Sequence, residues 1–251
     1  MKTPKRQTCN NADAPANAAA PAPAAARELV VVLHGLNVTH HTMGRLARAF
    51  VAAGFDVANR TYPSRTMPFE RIATEWLPRL LAKHNAGAAR RVHFVTHSLG
   101  GIITRLWLRE CGAPPNMGRV VMIAPPNQGS EVPDHFRGGG KALRSFFEFV
   151  ASANASRLGT DDESLPRKLS RSREKFPAGV ELGVIAGNRP LNPLFLSWFT
   201  GENDGTVSVA STRLAGMRDH IVMPHSHTGI IQRRAVAEQA LRFLREGKFK
   251  R

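Results

Sequence analysis

Cysteine is nearly absent from this chain of 251 residues: Cys9 and Cys111 are the only two, and neither lies in a CxxC pair. A disulfide-stapled scaffold is excluded, and so sparse a use of cysteine leans toward a reducing compartment. No run approaches 18 uninterrupted apolar residues, so no membrane-spanning helix is expected. Internal repeats are missing too. Lys2, Lys5 and Arg6 near the start are followed by no apolar h-region, so no cleaved signal peptide is expected and the cytoplasm is the expected location. Acidic residues are scarce. Nineteen Asp and Glu face 35 Lys and Arg, a net charge of +16 with an isoelectric point near 11.3. Such an excess invites a nucleic-acid or anionic-surface reading. No helix-turn-helix, zinc-finger spacing or aromatic RNA-binding signature accompanies it, so no specific nucleic-acid partner is expected.

What is present is a rhythm. Residues 1–27 form an Ala/Pro-rich tail, 14 of the 27 being Ala or Pro, with too little apolar content to offset the entropy of ordering. Residues 28–33 are a β-branched run ending at His34-Gly35, the pattern of a strand covered on both faces. Residues 43–53 carry apolar side chains at helical spacing and stop at Gly54. Strands are expected at 55–59, 92–96, 119–124, 180–186 and 221–223. Helices are expected at 69–83, with a kink or break at Pro78, at 99–111 and at 230–245. Strands alternating with helices imply a mostly parallel, doubly wound sheet with helices on both faces, forming one domain over 28–251. Residues 130–178 are longer than one crossover needs. They read as an insertion of lid or cap type, with Leu143, Phe146, Phe147 and Val150 at helical spacing; an ordinary helix covering the sheet has the same stripe.

Chemistry concentrates in Val92-His93-Phe94-Val95-Thr96-His97-Ser98-Leu99-Gly100-Gly101. An apolar strand runs into a serine followed by small residues and a helix, the context of a nucleophile elbow. Gly100 meets the demand for a small residue two after the serine, whereas Thr96 stands where glycine is commoner. A serine hydroxyl needs a base and an orienting acid, expected downstream in the order acid, then histidine. Asp204, in Asn203-Asp204-Gly205-Thr206-Val207, is preferred as the acid over Asp219, and His227 as the base over His225. The turn Leu33-His34-Gly35-Leu36-Asn37 can turn the Leu36 N–H toward the N–H of Leu99, two amides suited to a tetrahedral oxyanion.

These segments, in this order, resemble the α/β-hydrolase superfamily, and within it the small bacterial lipase/esterase-like members, over residues 28–247. Pro125-Pro126-Asn127-Gln128-Gly129-Ser130 adds to the likeness, although the family more often carries His where Asn127 stands, so Asn127 is assigned no catalytic role. The resemblance implies an α/β-hydrolase fold, a Ser98 nucleophile, an Asp204 acid, a His227 base and carboxylic ester substrates, small or lipid. Acyltransferases and thioesterases use the same groups, and a basic binding or adaptor protein on an inactive hydrolase scaffold is the rival from another class. No cofactor is implied.

Other residues carry weaker signals. His34, Tyr62, Phe146 and Phe147 are candidates for the substrate pocket, with bracing of the glycine loop the bland role for His34 and a simple turn that for Tyr62. His97 reads as packing under the elbow, and Cys111 as an inert buried residue. His220, His225 and His227 lack a nearby Cys or second carboxylate, so no metal site is expected. The terminal segment holds Arg233, Arg234, Arg242, Arg245, Lys248, Lys250 and Arg251 against Glu238 and Glu246. That basic amphipathic helix could touch an anionic membrane surface, but a solvated face is the favoured reading. Oligomeric state is not legible.

Overall fold

The computed structural model describes residues 27–141, 145, 152–171, 176–177, 179–191 and 197–251. Six strands form one sheet: β1 Leu29–Leu33, β2 Asp56–Asn59, β3 Val92–His97, β4 Met117–Ile123, β5 Leu182–Gly187 and β6 Asp219–Met223, in the order β2-β1-β3-β4-β5-β6. Every neighbouring pair is parallel. β1, β3 and β5 are buried at every position, which is why they read as unbroken apolar runs and not as alternating ones.

Helices cover both faces. On one side α1 (Gly44–Ala52) and the terminal helix α7 (Arg234–Glu246) press Leu46, Phe50, Val236 and Phe243 against Val30, Val32, Val95 and Ile185. On the other side α2 (Phe69–Arg71), α3 (Leu77–Lys83) and α4 (Leu99–Cys111) bring Phe69, Leu77, Ile103 and Trp107 onto Leu29, Val31, Phe94 and Val120. β2 lies on one side of β1 and β3 on the other. The connections leaving the carboxyl ends of β1, toward β2, and of β3, toward β4, therefore run to opposite sides, and a crevice opens between those two ends. The α/β expectation holds, with most element ends shifted by a residue or two; the terminal helix, expected from 230, starts at Arg234, after a 3-10 turn at Ile230–Gln232 and an extended Arg233.

Pro78 does not break its helix. The backbone stays helical through a π turn at Ile72–Trp76, and Pro78 falls in the first turn of α3. The wider turn accommodates the missing N–H that would have kinked an α-helix. The insertion contributes α5 (Glu131–Gly138), a 3-10 segment at Ala153–Leu158 and α6 (Leu165–Arg171). Leu158, Leu165 and Leu169 join the core, and Asn154 Nδ2 donates to the carbonyls of Ser64 and Met67. Phe146 and Phe147, with Leu143 and Val150, lie outside the described residues.

Phe94 is fully buried at the centre of β3, its ring 5.0 Å from that of Trp107. Phe94→Ala is expected to cost about 3–5 kcal/mol, because the close-packed strand cannot collapse into the void. A urea titration followed by circular dichroism reads this as a lower midpoint.

Candidate active site

Ser98 sits between β3 and α4 with φ +51° and ψ −118°, a backbone conformation that non-glycine residues rarely adopt. Two hydrogen bonds hold it there: its N–H donates to Ile123 O on β4 at 2.9 Å, and its carbonyl accepts from Gly101 N–H at 3.0 Å. The crowding expected around the serine falls on Gly100. A Cβ there would lie 2.7 Å from Leu33 O and 3.0 Å from His34 O, so helix α4 could not approach β1 this closely with any other residue. Thr96, the departure from the commoner pattern, is a fully buried strand residue paired with Leu33 and Met122, and the sheet accommodates it.

Asp204 comes from the turn after β5 and His227 from the turn after β6. The Asp204 side chain is completely buried. Its Oδ1 accepts the N–H groups of Thr206 and Val207 at 2.9 and 2.8 Å, leaving Oδ2 aimed at His227 Nδ1 at 2.8 Å. His227 Nε2 lies 3.0 Å from Ser98 Oγ, and the His227 N–H donates to Asp204 O at 3.0 Å. Beside a carboxylate Nδ1 carries the proton, so Nε2 is the bare lone pair facing the hydroxyl. Sequence spacing favoured these residues over Asp219 and His225. Asp219 is engaged elsewhere, accepting from Phe249 N–H, His220 N–H and Arg251. Neither rival is hydrogen-bonded to Ser98 or His227 among the described residues.

Two further imidazoles brace this arrangement. His97, 4% exposed, donates from Nε2 to His227 O at 2.8 Å, with the two rings 4.8 Å apart. A carbonyl only accepts, so the proton is on Nε2. Nδ1 is buried without a partner among the described residues, facing Gly35, where a Cβ would come within 3.0 Å of it. Burial, then the neighbouring His227, push the His97 pKa down to about 3. His97 is thus a neutral prop for the His227 backbone, a role its place in the sequence does not signal.

His34 has no exposed surface. Nδ1 donates to Gly35 O at 2.7 Å, and Nε2 accepts the Tyr62 N–H at 3.1 Å. The Tyr62 hydroxyl donates to His34 O at 2.5 Å, and the rings stack 4.0 Å apart. Burial lowers the His34 pKa and keeps the imidazole neutral. A trans peptide is planar, so tying the Gly35 carbonyl to His34 turns the Leu36 N–H the opposite way. That amide has no backbone acceptor among the described residues. Leu99, the first residue of α4, carries one of the amides a helix leaves unbonded. His34 and Tyr62 were candidate pocket walls. At 0% and 1% exposure they lie behind the loop, and they contact it rather than open space.

A second buried network went unread in the sequence. Arg105, mid-helix in α4 and 7% exposed, donates to Asn127 O at 2.8 Å, to Asn127 Oδ1 at 3.2 Å and to Ser170 Oγ at 3.0 Å. Asn127 Nδ2 in turn donates to Thr212 O at 2.8 Å. One guanidinium so ties the loop after β4 to α6 of the insertion. Burial, then Arg109, bring its pKa down to about 10. The available signal was an arginine inside the apolar run of α4. Cys111 is half-buried rather than buried, and it is disulfide-bonded, so it offers no nucleophilic thiol. Among the described residues no group of three or more His, Cys, Asp or Glu is arranged to hold a metal ion. Among them, too, no helix is long and apolar enough to cross a membrane.

No protein-family model and no curated protein sequence matches the chain. Solved structures do. A Bacillus licheniformis lipase in its mature form superposes with a TM-score of 0.67 at 19% identity, over 89% of this chain and 93% of that one. A Legionella pneumophila phospholipase gives 0.65 at 20% identity, over 86% of this chain and 60% of the other. A metagenomic carboxyl esterase gives 0.58 at 19% identity, over 85% and 69%. The chain has the α/β-hydrolase fold.

Two outcomes follow. Gly100→Ala is expected to lose about 1–3 kcal/mol, because the new methyl meets backbone that can yield only by moving the elbow; denaturant midpoints check this. His97 titrates near 6.5 when unfolded and near 3 when folded, so the unfolded chain binds the extra proton between those values. Its contribution is complete above pH 6.5 and lost as pH falls toward 3, at about 1.4 kcal/mol per unit. Unfolding midpoints measured from pH 7 to pH 4 should fall, and His97→Asn should flatten the slope; an unchanged slope would show that His97 does not carry the effect.

Proposed function

We propose that the protein is a serine hydrolase of carboxylic esters, acting through an acyl-enzyme. The observation that carries this reading is the continuous hydrogen-bonded chain from Asp204 through His227 to Ser98, on a serine held in an elbow. As Ser98 Oγ attacks the ester carbonyl carbon, its proton passes to His227 Nε2. Asp204 holds the imidazole by its Nδ1–H and offsets the positive charge that develops. The carbonyl oxygen becomes an oxyanion received by the N–H groups of Leu36 and Leu99, at the positive end of α4. His227 then returns the proton to the leaving alcohol. Water, deprotonated by the same nitrogen, attacks the acyl carbon, and Ser98 recovers its proton as the acid leaves.

Support for esters as the substrate class comes from the likeness to structures described as a lipase, a phospholipase and a carboxyl esterase. In this reading His34 and Tyr62 act by fixing the Gly35–Leu36 peptide, and His97 by holding the His227 carbonyl; none of the three touches substrate. No metal or cofactor enters the steps.

Hydrolysis of p-nitrophenyl butyrate, with labelling by a fluorophosphonate, tests the proposal. Wild-type protein is expected to hydrolyse the ester and label at Ser98, and Ser98→Ala to lose both while keeping its circular dichroism spectrum. His227→Ala should lower kcat by about 10³-fold or more. Folded wild-type protein that neither labels nor hydrolyses would favour the binding-scaffold alternative.

A further inference from the structure

Among the described residues strand β2 is an edge of the sheet, and no strand pairs with its outer rim. Asp56 N–H donates inward to Glu28 O at 3.0 Å, and in a parallel ladder successive residues turn their main-chain groups to opposite sides. The N–H and C=O of Val57 and Asn59 therefore point away from β1, and no backbone partner meets them among the described residues. A trough of about 570 Å³ runs along this rim. It is lined by Arg48 and Val51 of α1, Val57 and Asn59 of β2, Arg60 just after it, and His84 at the end of α3. Helices α1 and α3 belong to the two opposite faces of the sheet. The trough thus lies in the plane where a further strand would add.

Its chemistry is one-sided. Val51 is 59% exposed, one of three large apolar side chains so placed among the described residues. Arg48 and Arg60 are exposed and meet no carboxylate among the described residues. Asp56 is the only acidic residue in the stretch 29–69, and 76–109 holds none. The His84 pKa is lowered by burial and then by Arg60 and Lys83, a sign of positive potential at this rim. Of the lining residues, Asn59 Oδ1 and His84 Nε2 are buried without hydrogen-bond partners among the described residues.

We propose that this trough is a docking site for a short, extended, acidic segment of a partner protein, which pairs with β2 as a seventh strand. Backbone groups of Val57 and Asn59 supply the pairing, alternate apolar side chains of the segment cover Val51, and its carboxylates lie against Arg48 and Arg60. β2 offers four residues, about 13 Å of strand, so a segment of four to six residues fills it. A second copy of this chain is disfavoured, since pairing two β2 strands sets one cationic rim against another. An anionic amphiphile would answer the arginines but leave the main-chain groups unmet.

The test is a fluorescein-labelled hexapeptide alternating glutamate and valine, titrated into the full chain and followed by anisotropy, with hydrogen exchange of the Val57 and Asn59 amides. Saturable binding is expected, weakened tenfold or more in Arg48→Glu/Arg60→Glu, a variant at exposed positions whose fold circular dichroism checks. Exchange at both amides should slow. A hexapeptide alternating glutamate and proline, which cannot donate from every residue, and one alternating lysine and valine should each bind at least tenfold more weakly. The proposal is overturned if the glutamate–valine peptide does not bind, if either control binds equally, if dodecyl phosphate displaces it without the amides having been protected, or if those amides are protected only by concentration-dependent self-association.

Discussion

The close approach of α4 to the end of β1 is the constraint on which the rest of the site depends. Gly100 has no side chain, so the first turn of the helix rests directly on the Leu33 and His34 carbonyls. That contact leaves the chain no room for a relaxed turn between β3 and α4, and Ser98 takes up the strain at φ +51°. Strain of this kind, of order 1–3 kcal/mol, persists only where surrounding structure over-determines it. Here the fixed partners are the Ile123 carbonyl on one side of Ser98 and the Gly101 amide on the other. The same approach sets the first turn of α4 beside the carboxyl end of β1, at the switch point of the sheet.

Around that strained serine the fold places imidazoles of opposite character. His227 stands between a buried carboxylate and a hydroxyl, hydrogen-bonded through both ring nitrogens. His34 and His97 are each bonded to a carbonyl through one nitrogen and buried too deeply to charge readily. In the proposed mechanism a neutral imidazole suits this bracing, because a fixed cation 4.8 Å from the His227 ring would oppose its protonation. Such bracing has a cost in acid stability, since both props are more basic in the unfolded chain than in the folded one. Through these two groups the fold loses stability as pH falls below the ordinary imidazole value.

Much of this was legible from residue order, because the signals were local. A β-branched run ending in His34-Gly35, an apolar strand ending in Ser98 and a polar turn at Asp204 each report their own backbone. Spacing also favoured Asp204 over Asp219, although only tertiary structure shows Asp219 occupied by Phe249 N–H and Arg251. What escaped were interactions across long separations. Arg105 finds Asn127 and Ser170, 22 and 65 residues away, and nothing near it in the chain announces either. Pro78 misled for a related reason: its effect depends on the turn preceding it, and a π turn absorbs what an α turn could not.

Charge shows most clearly how sequence position and spatial position part. The basic excess of the C-terminal segment stands out in the chain, yet Arg234 and Arg242 face Glu238 and Glu246 one helical turn on, and Arg251 reaches back to Asp219. Around β2 the count is modest but uncompensated, because Arg48 and Arg60 come from segments that hold almost no acid. An open edge strand is a hazard that proteins commonly blunt with charged side chains. Charges of mixed sign would discourage every visiting strand about equally. Charges of one sign discriminate: they repel an identical edge and leave an acidic one attracted. In the docking proposal the cationic rim of β2 thus disfavours pairing with its own copy and leaves the edge to an acidic strand.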